Sequence, residues 1–142
     1  MMRLKMQFMK KYLILISFLF VSLFASAQVE MILGEWRTVD DVTGVTKGIV
    51  EFYRGDDGLY YGKIVKVFWK GEELKNSGLE GLVVIKDMEE HDGMLKNGFI
   101  FEPESKKTYY GKVYYNKEDN TITLRGSLDR KGWIGRSQTW IR

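Results

Sequence analysis

From residue 34 onward, short runs of β-branched and aromatic residues alternate with small clusters of Gly, Asp and Asn, roughly every 8 to 14 residues, the pattern of an all-β sandwich or barrel. It predicts strands near 35–40, 47–54, 59–69, 81–88, 98–102, 107–115, 121–128 and 133–141, with a short helical turn over 28–33 leading in. Gly55-Asp56-Asp57-Gly58 and Glu118-Asp119-Asn120 read as tight antiparallel connections, because Asp, Asn and Gly tolerate the left-handed backbone such turns need. Tight connections favour a meander. The stretch 70–78 is the longest polar segment and reads as a mobile loop or a short lid-like helix.

Side-chain parity adds a direction to each strand. Ile122, Leu124, Gly126 and Leu128 alternate with Thr121, Thr123, Arg125 and Ser127, which gives that strand one dry and one wet face. Residues 82–85 are apolar on both faces. In the last strand Arg136, Gln138, Trp140 and Arg142 share one parity and therefore one side. The chain opens its strand region with Gly34-Glu35-Trp36 and closes on 135–142 with a strand-borne arginine, so the C-terminus is expected within the sheet and the first and last strands as neighbours. Tyr60-Tyr61-Gly62-Lys63-Ile64 is echoed by Tyr109-Tyr110-Gly111-Lys112-Val113, each with a mid-strand glycine that marks a bulge or a barrel corner.

Ahead of this pattern, residues 1–27 read as a secretory signal: Arg3, Lys5, Lys10 and Lys11 before an apolar run over 12–24, then Ala25-Ser26-Ala27 as the cleavage site. The apolar run is shorter than the roughly 20 residues a membrane span needs, and the absence of cysteine excludes a lipid-anchored form. Export to the periplasm or cell exterior is the expectation, with no membrane span after cleavage. The segment also distorts the charge, for without it 18 basic residues face 19 acidic ones. A basic, nucleic-acid-binding reading therefore loses its ground, and no Lys/Arg cluster along residues 28–142 restores it. These 115 residues suffice for one domain, held by its core and ladder without disulfides.

At Gly34-x-Trp36, Asp57-Gly58-x-Tyr60-x-Gly62-Lys63-Ile64, Gly81-Leu82, Gly98-x-Ile100-x-x-Pro103 with Lys107-Thr108-Tyr109, and Gly135-Arg136-x-Gln138-x-Trp140-x-Arg142, the chain resembles the domain-of-unknown-function family twenty-one forty-seven, small exported bacterial proteins. The resemblance implies a calycin or lipocalin-like up-and-down β-barrel of about eight strands, in which the first-strand Trp packs under a last-strand arginine. It transports a fold and a compartment, not a reaction. Family members often carry a cysteine pair in the region of 70–77, whereas this chain has none. Glu102 and Leu95 stand where the family tends to have Asp and Trp.

Candidate chemistry is sparse. His91 is the single histidine and there is no thiolate, too few ligands for zinc, so no metal and no cofactor are assigned. Glu89-Glu90-His91-Asp92 reads as a solvated loop, with Asp92-Gly93 as a turn. No nucleophile elbow accompanies His91, and nothing in the spacing selects a catalytic pair among carboxylates such as Glu51 and Glu102. The polar face of the last strand carries more weight. Arg142 or Arg136 is expected to stack on Trp36 while donating to backbone carbonyls near residues 30–33, a structural clamp at the barrel base. Arg136 and Gln138 facing the lumen would hold the polar head of a small apolar or amphipathic ligand, with Trp140, Tyr60 and Tyr109 among the lining rings. A non-catalytic binding protein is thus the first reading. A filled-barrel interaction module of the envelope using 70–78 is the second, and an enzyme on an envelope metabolite is held in reserve.

Overall fold

The computed structural model describes residues 2–142, without the side chains of residues 20–26. A helix, α1 (Met2–Glu30), leads into β1 (Gly34–Val39), β2 (Thr46–Arg54), β3 (Tyr60–Trp69), β4 (Glu72–Glu73), β5 (Val83–His91), β6 (Met94–Glu102), β7 (Lys107–Asn116), β8 (Thr121–Ser127) and β9 (Gly135–Trp140). Eight strands pair in the order β1-β2-β3-β5-β6-β7-β8-β9, all antiparallel, while β4 folds back on the end of β3. The sheet is nearly closed on itself. Arg37 N–H donates to Ile141 O at 2.7 Å and Ile141 N–H to Arg37 O at 3.1 Å, which joins β1 to the residue after β9. Joining the two outer strands covers the unpaired backbone that an open meander would leave at its edges.

Most differences from the sequence reading lie in turns. Asp92 and Gly93 take φ of 53° and 80°, the left-handed pair of a two-residue hairpin, so β5 and β6 run right up to them. Glu89, Glu90 and His91 are therefore on a strand and not in a loop. Their polar side chains hide the alternation, but pairing with β6 carries the ladder through them. In 70–78 there is no helix, because Lys70 and Gly71, at φ of 51° and 83°, turn the chain into the short β3–β4 hairpin. The expected helical turn over 28–33 is present, as the last residues of α1 followed by two bonds that close its end, Ile32 N–H to Val29 O at 2.9 Å and Leu33 N–H to Glu30 O at 3.3 Å. Leu128 lies just past β8 and is exposed, whereas Ser127 is buried, the reverse of the expected faces there.

The expected apolar run of the leader falls inside α1, whose side chains from Met2 to Leu19 are exposed. The side chains of its last part and of Ala25 and Ser26 lie outside the described residues. Among the described residues no helix is long and apolar enough to cross a membrane. The end of α1 is different: Val29, and Ile32 just beyond it, are buried with Trp36, Phe52, Ile85, Met88, Leu95, Val113 and Ile122 in one core inside the barrel. Burying such a side chain contributes about 1.5–3 kcal/mol each. The core thus fixes α1's exit and the barrel interior together.

Candidate functional site

Inward positions change from buried to exposed along the barrel axis. On β9 the series is Trp140 buried, Gln138 half-buried, Arg136 exposed. The same direction appears from Val113 to Tyr109 on β7, from Tyr60 to Ile64 on β3 and from Trp36 to Thr38 on β1. One end is therefore sealed, the end that carries α1 and the β2–β3, β5–β6 and β7–β8 hairpins. The other is open.

At the sealed end Arg142 places its guanidinium carbon 4.1 Å from the Trp36 ring centroid. Its Nη2 donates to Leu33 O at 2.6 Å and Met31 O at 3.2 Å, while Trp36 Nε1 donates to Ile32 O at 2.7 Å. Three consecutive carbonyls just past α1, which no helical N–H can reach, in this way accept from the two side chains. Tyr115 packs 6.5 Å from Trp36, and Phe52 lies 6.1 Å from Trp140. Of the two arginines, Arg142, just past β9, lies over Trp36, and Arg136 is at the far end of β9.

Halfway up, large side chains cross the lumen. A methyl group on Gly98 would lie 2.4 Å from Met88 Sδ, one on Gly62 2.7 Å from Ile85 Cγ1, and one on Gly111 3.0 Å from Ile100 Cγ1. Gly98 thus makes room for Met88, and the mid-strand glycines of the repeated Tyr-Gly-Lys segments, Gly62 and Gly111, for Ile85 and Ile100. Gly62 also sits at a register shift between β3 and β5. Below this layer the barrel is filled by side chains.

Above it, Arg136 pairs across from Gly126, and a methyl group there would touch the Cβ of Tyr109 at 3.4 Å. Tyr109 and Arg136 consequently share the open end, bordered by the partly buried Ile64, Leu82 and Ile100. Among the described residues the Arg136 side chain has no hydrogen bond or ion pair. Gln138 stands one inward step below and accepts a 3.3 Å bond from Trp140 Nε1. The structure does not bring Tyr60 to this group: it is buried at the sealed end, with Arg54 5.8 Å from its ring, and burial foremost pushes its phenol above the ordinary range. The residues singled out in the sequence therefore divide between a floor, Trp140 and Tyr60, and an open end, Arg136, Gln138 and Tyr109.

The remaining candidates are on the outside. His91 Nε2 lies 2.9 Å from Glu89 Oε2, which also accepts from Asn97 at 3.2 Å, and the His91 contact foremost holds the Glu89 carboxyl below its usual range. Among the described residues no group of three or more potential ligands is placed to hold a metal ion. Glu51 pairs with Lys63 at 3.3 Å and Glu102 accepts from Ser105, so the two carboxylates engage separate partners. Sequence reasoning missed a concavity of about 380 Å³ on the outer wall, into which Lys112 and Arg125 face. Its cations lie far apart in the chain.

The family model described as "Uncharacterized protein conserved in bacteria (DUF2147)" matches residues 34–142. Among solved structures the chain is similar to protein HP1028 from Helicobacter pylori, whose description assigns it to the lipocalin family, at 23% identity and a TM-score of 0.62 over 78% of this chain and 82% of that one. No curated protein matches the chain. At that identity the likeness is one of fold, a lipocalin-like barrel.

Proposed function

The chain belongs to the DUF2147 family, and on that premise we propose that it is an exported, non-catalytic protein that binds a small amphipathic anion at the open end of its barrel. The observation that carries this reading is Arg136, an inward-facing cation with no partner among the described residues, above an apolar floor and beside Tyr109. A guanidinium presents paired donors that match a carboxylate or phosphate, and its charge-assisted bonds are roughly twice as strong as neutral ones. Ile64, Leu82 and Ile100 offer the matching apolar wall. Because Met88 and Ile85 fill the middle, the apolar part of the ligand is short, a few carbons and not a full acyl chain.

Native mass spectrometry of protein purified without detergent, followed by organic extraction, tests this. A co-purifying small anion that is lost in Arg136→Gln supports the reading; retention of the same mass in that variant overturns it. The filled middle favours one other reading, a barrel acting as an interaction module, and the β3–β4 hairpin then supplies the contact through the exposed Trp69 and Leu74. Under that reading no small anion co-purifies, and Trp69→Ser abolishes capture of the partner.

A further inference from the structure

On the outer wall the side chains of β6, β7 and β8 and the β8–β9 connection enclose a groove of about 380 Å³, within the size range of small-molecule sites. Lys96, Lys112, Arg125 and Arg130 face into it against a single carboxylate, Glu89, which is already engaged by His91 and Asn97. None of the four cations has an ion pair among the described residues. In a domain whose residues 28–142 hold 18 basic against 19 acidic groups, these four cations outnumber the carboxylates near them, Glu89 and an Asp129 that acts on Arg125, and create a local field for an anion.

The cations are positioned by structure. Gly132, at φ of 82°, lets the β8–β9 connection come down on the sheet, and a methyl group there would be 3.8 Å from Arg125 Nε, 3.9 Å from Lys112 Nζ and 4.0 Å from Ser127 Oγ. Arg125 Nε donates to Gly132 O at 2.7 Å, and the Asp129 carboxylate accepts from Trp133 N–H at 3.0 Å and Ile134 N–H at 2.8 Å, so this wall is tied down. Arg130 lies 5.8 Å from the Tyr110 ring, which itself packs against Phe99 at 5.8 Å. Charge and an aromatic surface thus meet in one groove.

We infer that this groove is a binding site for a phosphate ester, its phosphate held by Lys112, Arg125 and Arg130 and its adjoining apolar part lying on Tyr110 and Phe99. A phosphate has the charge and the acceptor oxygens to engage several converging cations at once. The site faces away from Arg136, on the other side of the sheet, and does not rest on the open-end reading. The ester belongs either to a soluble molecule or to a phospholipid headgroup. The same connection exposes Leu128, Trp133 and Ile134 at 67%, 81% and 64%, an apolar rim that a bilayer surface would use and a soluble ester would not.

The test titrates the purified protein with phenyl phosphate by NMR and, separately, co-sediments it with phosphatidylcholine vesicles containing phosphatidylglycerol. Lys112→Gln with Arg130→Gln leaves Arg125 and its loop contacts intact, so folding is preserved, and a melting curve checks this. Phenyl phosphate shifting Tyr110 and Gly132, with at least a tenfold loss of affinity in the double variant and none in Arg136→Gln, establishes a soluble ester. Vesicle binding that falls at least tenfold in the double variant and also in Trp133→Ser establishes the headgroup. Binding of neither probe, or binding that the folded double variant leaves unchanged, overturns the inference.

Discussion

Arg136, on β9, and Arg142, two residues past its end, should differ sharply in what they contribute to stability. Arg142 has two bonds to main-chain carbonyls, at 2.6 and 3.2 Å, and stacks 4.1 Å from Trp36. Its guanidinium is largely exposed, so the lower ends of the usual ranges apply: about 0.5–1 kcal/mol for the stacking and about 1.5 kcal/mol for the charged hydrogen bonds together. Arg142→Ala is therefore expected to cost about 2 kcal/mol, a fall of roughly 8 °C in the melting temperature for a domain of this size. Arg142→Lys keeps the charge but not the planar fork, and roughly half the loss is expected. Arg136→Ala, which breaks no bond among the described residues, should stay within about 0.5 kcal/mol of wild type. Thermal unfolding followed by circular dichroism reads all three. An Arg142→Ala melt within about 2 °C of wild type, or an Arg136→Ala melt lowered as far, would refute the assignment of Arg142 as the clamp.

Two further outcomes follow from local geometry. Gly98→Ala drives a methyl group to 2.3 Å from Lys86 O and 2.4 Å from Met88 Sδ, so a loss of at least about 2–3 kcal/mol in urea unfolding is expected, and a neutral effect would show that the interior is not filled at Met88. Asp40 accepts from Val42 and Thr43 N–H at 2.9 Å each, and these main-chain donors, Thr43 foremost, depress its carboxyl to about 2 from an ordinary 3.8. Because the folded value is the lower one, Asp40 stabilises the β1–β2 turn fully above pH 3.8 and the effect disappears as pH falls toward 2. An NMR titration should place its midpoint near 2, and Asp40→Asn should flatten the acid limb of the stability profile in that window; a midpoint at 3.8 would contradict the turn geometry.

Strand positions were legible because alternation and turn residues are local signals. Ile122 and Leu124 read as inward and are buried, and the bracketing Trp36 and Arg142 read as neighbours and are in contact. Polar strand ends were not legible: Glu89 to His91 and Glu72–Glu73 are held by partners that the local sequence does not reveal. The choice between Arg136 and Arg142 needed the register of β9 against β8, which alone says which end of the strand meets α1. Tyr60 and Tyr109 occupy matching places in the repeated segment, yet lie toward opposite ends of the barrel, since successive strands of a meander run in opposite directions. The outer groove was hidden for a related reason. Lys96, Lys112, Arg125 and Arg130 come from three strands and a connection, so no cluster exists until the sheet assembles one.

A barrel sealed at Trp36 and open to a small anion at Arg136 is tested most directly by an NMR titration of the purified, isotope-labelled protein with butanoate, whose tail is short enough for the space above Met88 and Ile85. Shifts concentrated at Tyr109, Arg136 and Gln138 are expected, with unchanged signals from Trp36 and Tyr115 and loss of the effect in Arg136→Gln. Shifts centred on Trp36 and Tyr115, or a response that persists in Arg136→Gln, would contradict it.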